Sequence, residues 1–335
     1  MEEGIRMPDD FACPICSGPT LGLSPVDRVT RAGKPGWEAE SCLEILGRDE
    51  VQTQLRLCRR CFHTVIYPKF DTAPLYAPEA CRRRKEVYEA YEPGAADGAW
   101  RTHGLKLDRD LPGAARDFRR FAEVAAFAGR HAASEFAGLE EIRVLDWGGG
   151  DGYVGSMYAR ALQAVTWVPA QGVVYDPAEW AEAQGEKVGP GRTPGLPPCH
   201  VLVLSNVLEH THDPVGMLRA AAAHLAGGGV AIAEVPDENY TIAMGLLGRR
   251  FGLRYHVAHF SRRSLHAALA AAGLSNVHTM RQRASSYRGH PCRSILGIGL
   301  KGAAGGRSER RPGLLAEALA TARASVRVRL EAMRK

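Results

Sequence analysis

The sequence predicts an α/β fold in the C-terminal part of the chain, preceded by a small domain with two cysteine pairs. Three observations support this prediction. From about residue 139 to 302, short apolar runs alternate with helical stretches, as expected when helices connect parallel strands. A glycine-rich turn directly follows the first of these apolar runs. Before residue 72, the chain is rich in turn-forming residues and short β-like runs, and the cysteine pairs lie near the two ends of this region.

The composition is that of an ordinary globular protein. The 335 residues are 45% hydrophobic and 24% charged, with a formal net charge of +6. The arginines are spread along the chain instead of forming a basic stripe interleaved with aromatic residues, so we do not expect nucleic acid as a partner. The N-terminus lacks the apolar run of a signal peptide, and no stretch reaches the ~18 apolar residues of a membrane span. We therefore expect a cytoplasmic protein without membrane contact.

The sequence pattern divides the chain into four segments. Residues 1–72 form the cysteine-containing domain, 73–138 a helical linker or lid, 139–302 the α/β domain, and 303–335 a C-terminal helix. In the linker, apolar residues recur at helical spacing around Phe121. The C-terminal helix carries an apolar stripe, and a homodimer formed through this stripe is an expectation of the sequence.

The cysteine pairs predict a metal site. Four of the eight cysteines form two Cys-x-x-Cys motifs, namely Cys13, Cys16, Cys58 and Cys61. In a chain without an export signal, this spacing favours metal over disulfides. Two such turns give the tetrahedral all-sulfur shell of structural zinc, which leaves no position for water, so we expect a structural Zn²⁺ on these four cysteines. Cys42 and His63 are alternative ligands, and redox chemistry or unrelated buried thiols are alternative interpretations.

The glycine-rich turn is the most informative stretch. The predicted strand ends in Asp146, and glycines follow at every second position, at Gly148, Gly150 and Gly152. Glycine lets the backbone turn tightly and approach a ligand closely. Dinucleotide-binding turns are similar, but here Asp146 and Asp151 flank the turn, and two carboxylates disfavour a pyrophosphate. They suit a cationic ligand such as the sulfonium and amino group of S-adenosyl-L-methionine (SAM).

The strands that follow complete a cofactor site at one edge of the sheet. The next strand ends in Asp176, where a carboxylate would bind the two ribose hydroxyls; a solvated acid at a strand end is the alternative. The strand after it runs through residues 201–208, and we expect Asn206 at the cofactor as well. The other predicted elements are helices over 153–165, 215–225 and 264–272, a strand over 230–235, and antiparallel last strands over 276–281 and 295–300.

These motifs resemble class I SAM-dependent methyltransferases. The resemblance rests on the glycine-rich turn, the SNVLEH stretch over 205–210, Asp213–Pro214, and His259-Phe-Ser before the last helix. The cysteine pairs resemble the zinc-binding domain of bacterial sugar C-methyltransferases, which act on nucleotide-linked deoxysugars. Spanning most of residues 10–300, the resemblance implies a Rossmann-like class I methyltransferase domain with a small N-terminal zinc-binding domain. It also implies SAM as cofactor and a small-molecule substrate such as a nucleotide-linked sugar.

The family's catalytic segment is altered in this chain. The family carries Tyr-His-Glu-His before its Phe/Leu-and-Ser segment, whereas residues 255–261 read YHVAHFS and lack the glutamate. Methyl transfer to a hydroxyl or carbon acceptor requires removal of a proton, and a neutral imidazole suits that task. We expect His259 to be the base, with His256 and His210 as further catalytic candidates. Other groups predicted near the strand ends are His212, Glu234 and Tyr255.

Three function classes agree with the sequence. The first is a methyltransferase that acts on a small molecule, a sugar or a natural-product intermediate. The second is an RNA methyltransferase, since some zinc-ribbon rRNA guanine methyltransferases also place cysteine pairs before the catalytic domain, although with a more compact ribbon. The third is a non-catalytic SAM-binding protein.

Overall fold

A computed structural model describes most of the chain from residue 11 to residue 302. The described residues are 11–33, 37–77, 79–80, 83, 86, 121–130, 132–136, 138–150, 152–176, 186–188, 196, 198–237, 255–283 and 293–302. Asp151 and the predicted C-terminal helix, through which we expected a homodimer, lie outside these residues. Within them, no helix is long and apolar enough to cross a membrane.

The described elements follow the predicted alternation. The strands are β1 (Thr20–Gly22), β2 (Asp27–Thr30), β3 (Glu50–Cys58), β4 (Thr64–Tyr67), β5 (Ile142–Trp147), β6 (Ala170–Tyr175), β7 (Glu186–Val188), β8 (Cys199–Ser205), β9 (Leu225–Pro236), β10 (Ala258–His259), β11 (Leu274–Arg283) and β12 (Arg293–Lys301). The α-helices are Trp37–Ile45, 121–130, Ala133–Phe136, Tyr153–Thr166, Pro214–Ala223 and Arg262–Ala271. Short 3-10 turns span Arg31–Gly33, Ala73–Tyr76 and Leu208–His210.

The main sheet has seven strands in the order β11-β12-β9-β8-β5-β6-β7. Strands β5 to β9 pair in parallel, which confirms the predicted α/β fold. The expectation of antiparallel last strands over 276–281 and 295–300 is confirmed. Strand β12 is antiparallel to β9 and to β11. Because β12 lies between these two strands, β11 runs in the same direction as the parallel five.

Both faces of this sheet are buried, as the continuous apolar runs of its strands require. Val144 and Val201 face a cluster that includes Phe127 of helix 121–130. Leu145 and Leu202 face the opposite cluster. Successive side chains along a strand point to opposite faces, so each strand contributes to both layers.

The N-terminal sheet is continuous with the α/β part of the chain. It contains β1, β3 and β4 in that order, with β2 also on β3 and with β10 next to β4. Strand β10 is antiparallel to β4, with His259 opposite Thr64. Phe260 also shares one buried cluster with Cys58. The segment that enters helix Arg262–Ala271 is therefore held by the cysteine-containing domain; the boundaries at 72 and 138 stay predictions.

Candidate cofactor and acceptor sites

The glycine turn at the end of β5 requires glycine for two separate reasons. Gly148, Gly150 and Gly152 have φ values of +72°, +55° and +77°, a region in which other residues are strained. A side chain at Gly148 would also lie 2.9 Å from Val207 Cγ2. The backbone just after β5 therefore packs directly against Val207, which connects β8 to the 3-10 turn.

Asp146 lies beneath this turn and supports it. Its side chain is buried, and Oδ2 accepts a hydrogen bond of 2.8 Å from the backbone N–H of Gly155. A Cβ atom at Gly155 would come within 2.7 Å of Asp146, so the close approach needs glycine there. The bond joins the end of β5 to the first turn of helix Tyr153–Thr166. A contact between Asp146 and the cofactor stays a prediction.

Asp176 meets the glycine turn from the neighbouring strand. It follows β6, is buried, and accepts a hydrogen bond of 2.7 Å at Oδ2 from Gly150 N–H. Gly148 N–H donates to the carbonyl of Tyr175 at 2.7 Å, which ties the two strand ends together. Asn206 follows β8 and is exposed. The parallel strands β5, β6 and β8 thus bring the predicted cofactor residues to one edge of the sheet.

A second cluster of polar side chains is formed by two residues just after Val207 and by one from a distant segment of the chain. Glu209, His210 and His256 place one ligand-type atom each within 4.8 Å of one another. His210 Nε2 lies 4.0 Å from Glu209 Oε1, and the two histidine rings have centroids 4.8 Å apart. Backbone pairing fixes this arrangement, because Val257 N–H donates to the carbonyl of Glu209 at 2.8 Å. We call Glu209, His210 and His256 the Glu-His-His cluster.

Glu209 is an unusual member of this cluster. The residue is 1% exposed, and within the described part of the chain neither carboxylate oxygen has a hydrogen-bond partner. Burial raises the pKa of its carboxyl to about 7, while the charge of His256 opposes that rise. Burial of a carboxylate without a compensating contact costs free energy. A nearby cation or a bound proton would lower this cost for Glu209.

His259 lies apart from the cluster, inside the contact between the two sheets. It is 2% exposed, whereas His210 and His256 are half-buried. Burial lowers the pKa of His259 to about 3, so its imidazole is neutral and weakly basic. Access to a bound acceptor therefore favours His256 and His210 over His259, which reverses the order that the sequence led us to expect.

The remaining acid–base candidates are engaged in the core. Ser294 Oγ donates to Glu234 Oε1 at 2.7 Å, and the hydroxyl of Tyr255 is hydrogen-bonded to Ser41. Burial lowers the pKa of His212 to about 4, and its ring packs edge-on against Phe70. Glu234 and Tyr255 thus have hydrogen bonds that account for their burial, whereas neither ring nitrogen of His212 has a hydrogen-bond partner among the described residues.

The four paired cysteines converge as the spacing predicted. Their four sulfur atoms form one group within 4.8 Å, with Cys13 Sγ 3.6 Å from Cys61 Sγ and Cys16 Sγ 3.5 Å from Cys58 Sγ. Sulfurs bound tetrahedrally at about 2.3 Å would lie ~3.8 Å apart, so the group fits a zinc ion. The alternative ligands Cys42 and His63 do not belong to the group.

Backbone N–H groups favour the thiolate form at two of the four sulfurs. Backbone N–H groups of Ile15 and Arg60 point at Cys13 Sγ and Cys58 Sγ, at 3.4 and 3.3 Å. The hydrogen bond with Cys61 lowers the pKa of Cys13 to about 5, whereas burial raises the pKa of Cys16 and the hydrogen bond with Cys13 raises that of Cys61. The thiolate is the form that binds metal, so the backbone N–H groups favour metal binding at Cys13 and Cys58.

One family model and several solved structures are similar to parts of this chain. Residues 117–279 match a family model described as a methyltransferase domain. A search of curated protein sequences gives no match. Among solved structures, an O-methyltransferase family protein from Burkholderia thailandensis is 13% identical over 69% of this chain and 64% of that chain, with a TM-score of 0.38.

Two further solved structures are similar at the same level. Magnesium protoporphyrin IX methyltransferase from Synechocystis PCC 6803, with bound SAH, is 16% identical over 65% of this chain and 99% of that chain, with a TM-score of 0.40. The CurJ carbon methyltransferase is 11% identical over 84% and 87% of the two chains, also with a TM-score of 0.40. The matched region of the family model contains β5, the glycine turn, Asp176 and the Glu209 turn. Residues 117–279, slightly less than half of the chain, therefore match a methyltransferase domain.

Proposed function

We propose that the chain transfers the methyl group of SAM to a small molecule, a sugar or a natural-product intermediate. One observation supports this most: the glycine turn touches Val207, and Glu209 and His210 of the Glu-His-His cluster follow Val207 within three residues. The predicted cofactor residues and a group of acid–base side chains therefore share one edge of the sheet. Ligands of open α/β sheets bind at this edge, outside the carboxyl ends of the strands.

Each part of this edge has a separate task in methyl transfer. Asp176 would bind the ribose hydroxyls, while the hydrogen bond from Gly150 N–H to its Oδ2 fixes the orientation of the carboxylate. The glycines allow the backbone to approach the cofactor. The acceptor would lie against the Glu-His-His cluster, where its proton leaves as the methyl group arrives. Positioning of the acceptor and proton removal are the main contributions that a protein makes to this displacement.

We also propose that the four paired cysteines hold a structural zinc. A four-sulfur shell has no open position, so the ion would not take part in methyl transfer. Its position gives it an indirect role, because Ser261 Oγ donates to the carbonyl of Cys61 at 3.3 Å and β10 pairs with β4. The zinc would thereby fix the segment that presents His256.

RNA methylation is the alternative acceptor class. The +6 net charge is compatible with it, but the arginines are scattered and the distance along the chain between the cysteine pairs is long for a compact ribbon. A non-catalytic SAM-binding protein is the second alternative. The Glu-His-His cluster favours catalysis, because buried titratable groups in a ligand cleft are typical of active sites.

Transfer of a labelled methyl group separates these alternatives. The purified chain would be incubated with SAM labelled in the methyl group and with small-molecule and RNA fractions from its source organism. We expect label in the small-molecule fraction, and neighbouring sugar-nucleotide or antibiotic assembly genes would narrow the acceptor further. Label in RNA would establish the second class, and no label beyond the spontaneous background would support the third.

A further inference from the structure

We propose that Glu209, His210 and His256 form a second metal site, which binds a divalent cation such as Mn²⁺ beside the cofactor edge. This site lies on other segments of the chain than the cysteine site, and its ligands are a carboxylate and two imidazoles instead of four thiolates. Two imidazoles and one carboxylate are the ligand set of open, catalytic metal sites, which leave positions for water or substrate.

The first argument is the state of Glu209. Its carboxylate is 1% exposed and, among the described residues, accepts no hydrogen bond, yet it faces two histidines. A buried carboxylate is stabilised either by protonation or by a cation. Since the two side chains that face it are both good metal ligands, a divalent ion shared by the three residues would balance the charge of this carboxylate.

The second argument is the orientation of His210. Its Nδ1 atom lies 3.2 Å from the carbonyl oxygen of Tyr255, so a proton on Nδ1 donates to that oxygen. Nε2 then keeps its lone pair, and it is Nε2 that lies 4.0 Å from Glu209 Oε1. A backbone carbonyl that fixes the tautomer of an imidazole is the usual outer contact of a metal-bound histidine.

The third argument is the spacing of the ligand atoms. They lie within 4.8 Å of one another, and ligands at about 2.1 Å from one ion lie up to ~4.2 Å apart. The two differ by well under 1 Å, which rotation of the half-buried His256 ring would remove. Glu209 and His256 cannot separate easily, because the Val257 N–H bond to the Glu209 carbonyl holds their backbones together.

The metal site indicates that the methyl acceptor is a hydroxyl compound, an inference that rests on the proposed function. A hydroxyl bound to the ion has a lowered pKa, and its proton is released to water. The oxygen lone pair then forms the bond to the methyl carbon, while the electron pair of the breaking S–CH₃ bond stays on sulfur as the neutral thioether. An acceptor with two adjacent hydroxyls, such as a sugar diol, would fill two open positions on the ion.

Binding of Mn²⁺ alone tests the site without activity. Mn²⁺ suits carboxylate and imidazole but not thiolate ligands, so protein that carries one zinc per chain can be titrated with Mn²⁺ while free Mn²⁺ is counted by electron paramagnetic resonance. We expect one bound Mn²⁺ per chain, an affinity at least ~10-fold lower in Glu209→Gln and in His256→Ala, and an unchanged affinity in the exposed control His266→Ala. Glu209→Gln preserves shape, and circular dichroism checks the fold of each variant.

Two results would overturn the proposal. One is the absence of bound Mn²⁺ in the wild-type chain, with and without SAH; the other is equal affinity in the wild type and in folded Glu209→Gln. SAH affinity, measured on the same samples by calorimetry, reports the cofactor site separately. If SAH binds but Mn²⁺ does not, the metal site is refuted while the methyltransferase function stands; if SAH does not bind, the function itself fails.

Discussion

Replacement of Gly148 by alanine tests whether the glycine turn is shaped by close contact as well as by backbone angle. At φ +72° a Cβ atom costs about 1–2 kcal/mol in left-handed strain. The same atom would lie 2.9 Å from Cγ2 and 3.2 Å from Cγ1 of Val207, and overpacking of this kind typically costs about 1–3 kcal/mol. Gly148→Ala should therefore lower the free energy of unfolding by about 2–5 kcal/mol, the sum of both costs.

Gly273→Ala provides the matched control. Gly273 also has a positive φ, +91°, but no atom lies within 4 Å of the Cβ position. It should lose only the strain component, about 1–2 kcal/mol. Urea denaturation of both variants gives the difference, and calorimetry with SAH should show about tenfold or weaker binding only for Gly148→Ala. Equal stabilities and equal SAH affinities in the two variants would refute the role of the Val207 contact.

The other predictions concern the zinc site and the histidines. Cys58→Ser should abolish bound zinc in metal analysis and unfold the N-terminal sheet while SAH binding stays measurable, whereas Cys42→Ala should keep one zinc per chain. His256→Ala should lower turnover by ~10²- to 10⁴-fold with SAM affinity nearly intact, and His259→Ala should act mainly on stability. Because burial lowers the pKa of His259 to about 3 from 6.5, the unfolded chain takes up the proton first. Stability should therefore fall as the pH drops below 6.5, by about 1.4 kcal/mol per pH unit from this group, and His259→Gln should remove that component.

Different results would contradict each of these statements. Zinc retained by Cys58→Ser would move the ligand set elsewhere. A larger loss of turnover in folded His259→Ala than in His256→Ala would restore the order that the sequence suggested. Identical pH profiles of unfolding for the wild type and His259→Gln would show that His259 does not titrate differently in the folded and unfolded chains.

Local signals in the sequence located the cofactor edge. The glycines of the turn sit where the backbone needs positive φ, and Asp176 ends the neighbouring strand because parallel strands of a βαβ unit end at the same edge. The cysteine pairs were found for a similar reason, since each pair lies on one short turn. The two pairs are far apart in the sequence. The antiparallel pairing of β1 with β3, with Thr20 opposite Cys58, brings them together.

The acceptor side could not be predicted in the same way. Strand β10 has two residues, too few for a periodic pattern, so its pairing with β4 and the burial of His259 left no signal in the sequence. The meeting of Glu209 with His256 depends on one long-range backbone hydrogen bond from Val257. Such contacts are set by the packing of distant segments. The YHVAHFS segment alone therefore does not indicate which of its two histidines is the more accessible.

Calorimetric titration of SAH into zinc-loaded wild type and Asp176→Ala tests the central claim most directly. A carboxylate that binds two ribose hydroxyls contributes about 1.5–3 kcal/mol, so the wild type should bind one SAH per chain and the variant should bind it ~10- to 150-fold more weakly. Asp176 also accepts the Gly150 N–H bond, and circular dichroism should show that the variant keeps its fold. No binding of SAH by the folded wild-type chain, or an equal dissociation constant in both proteins, would contradict the cofactor site.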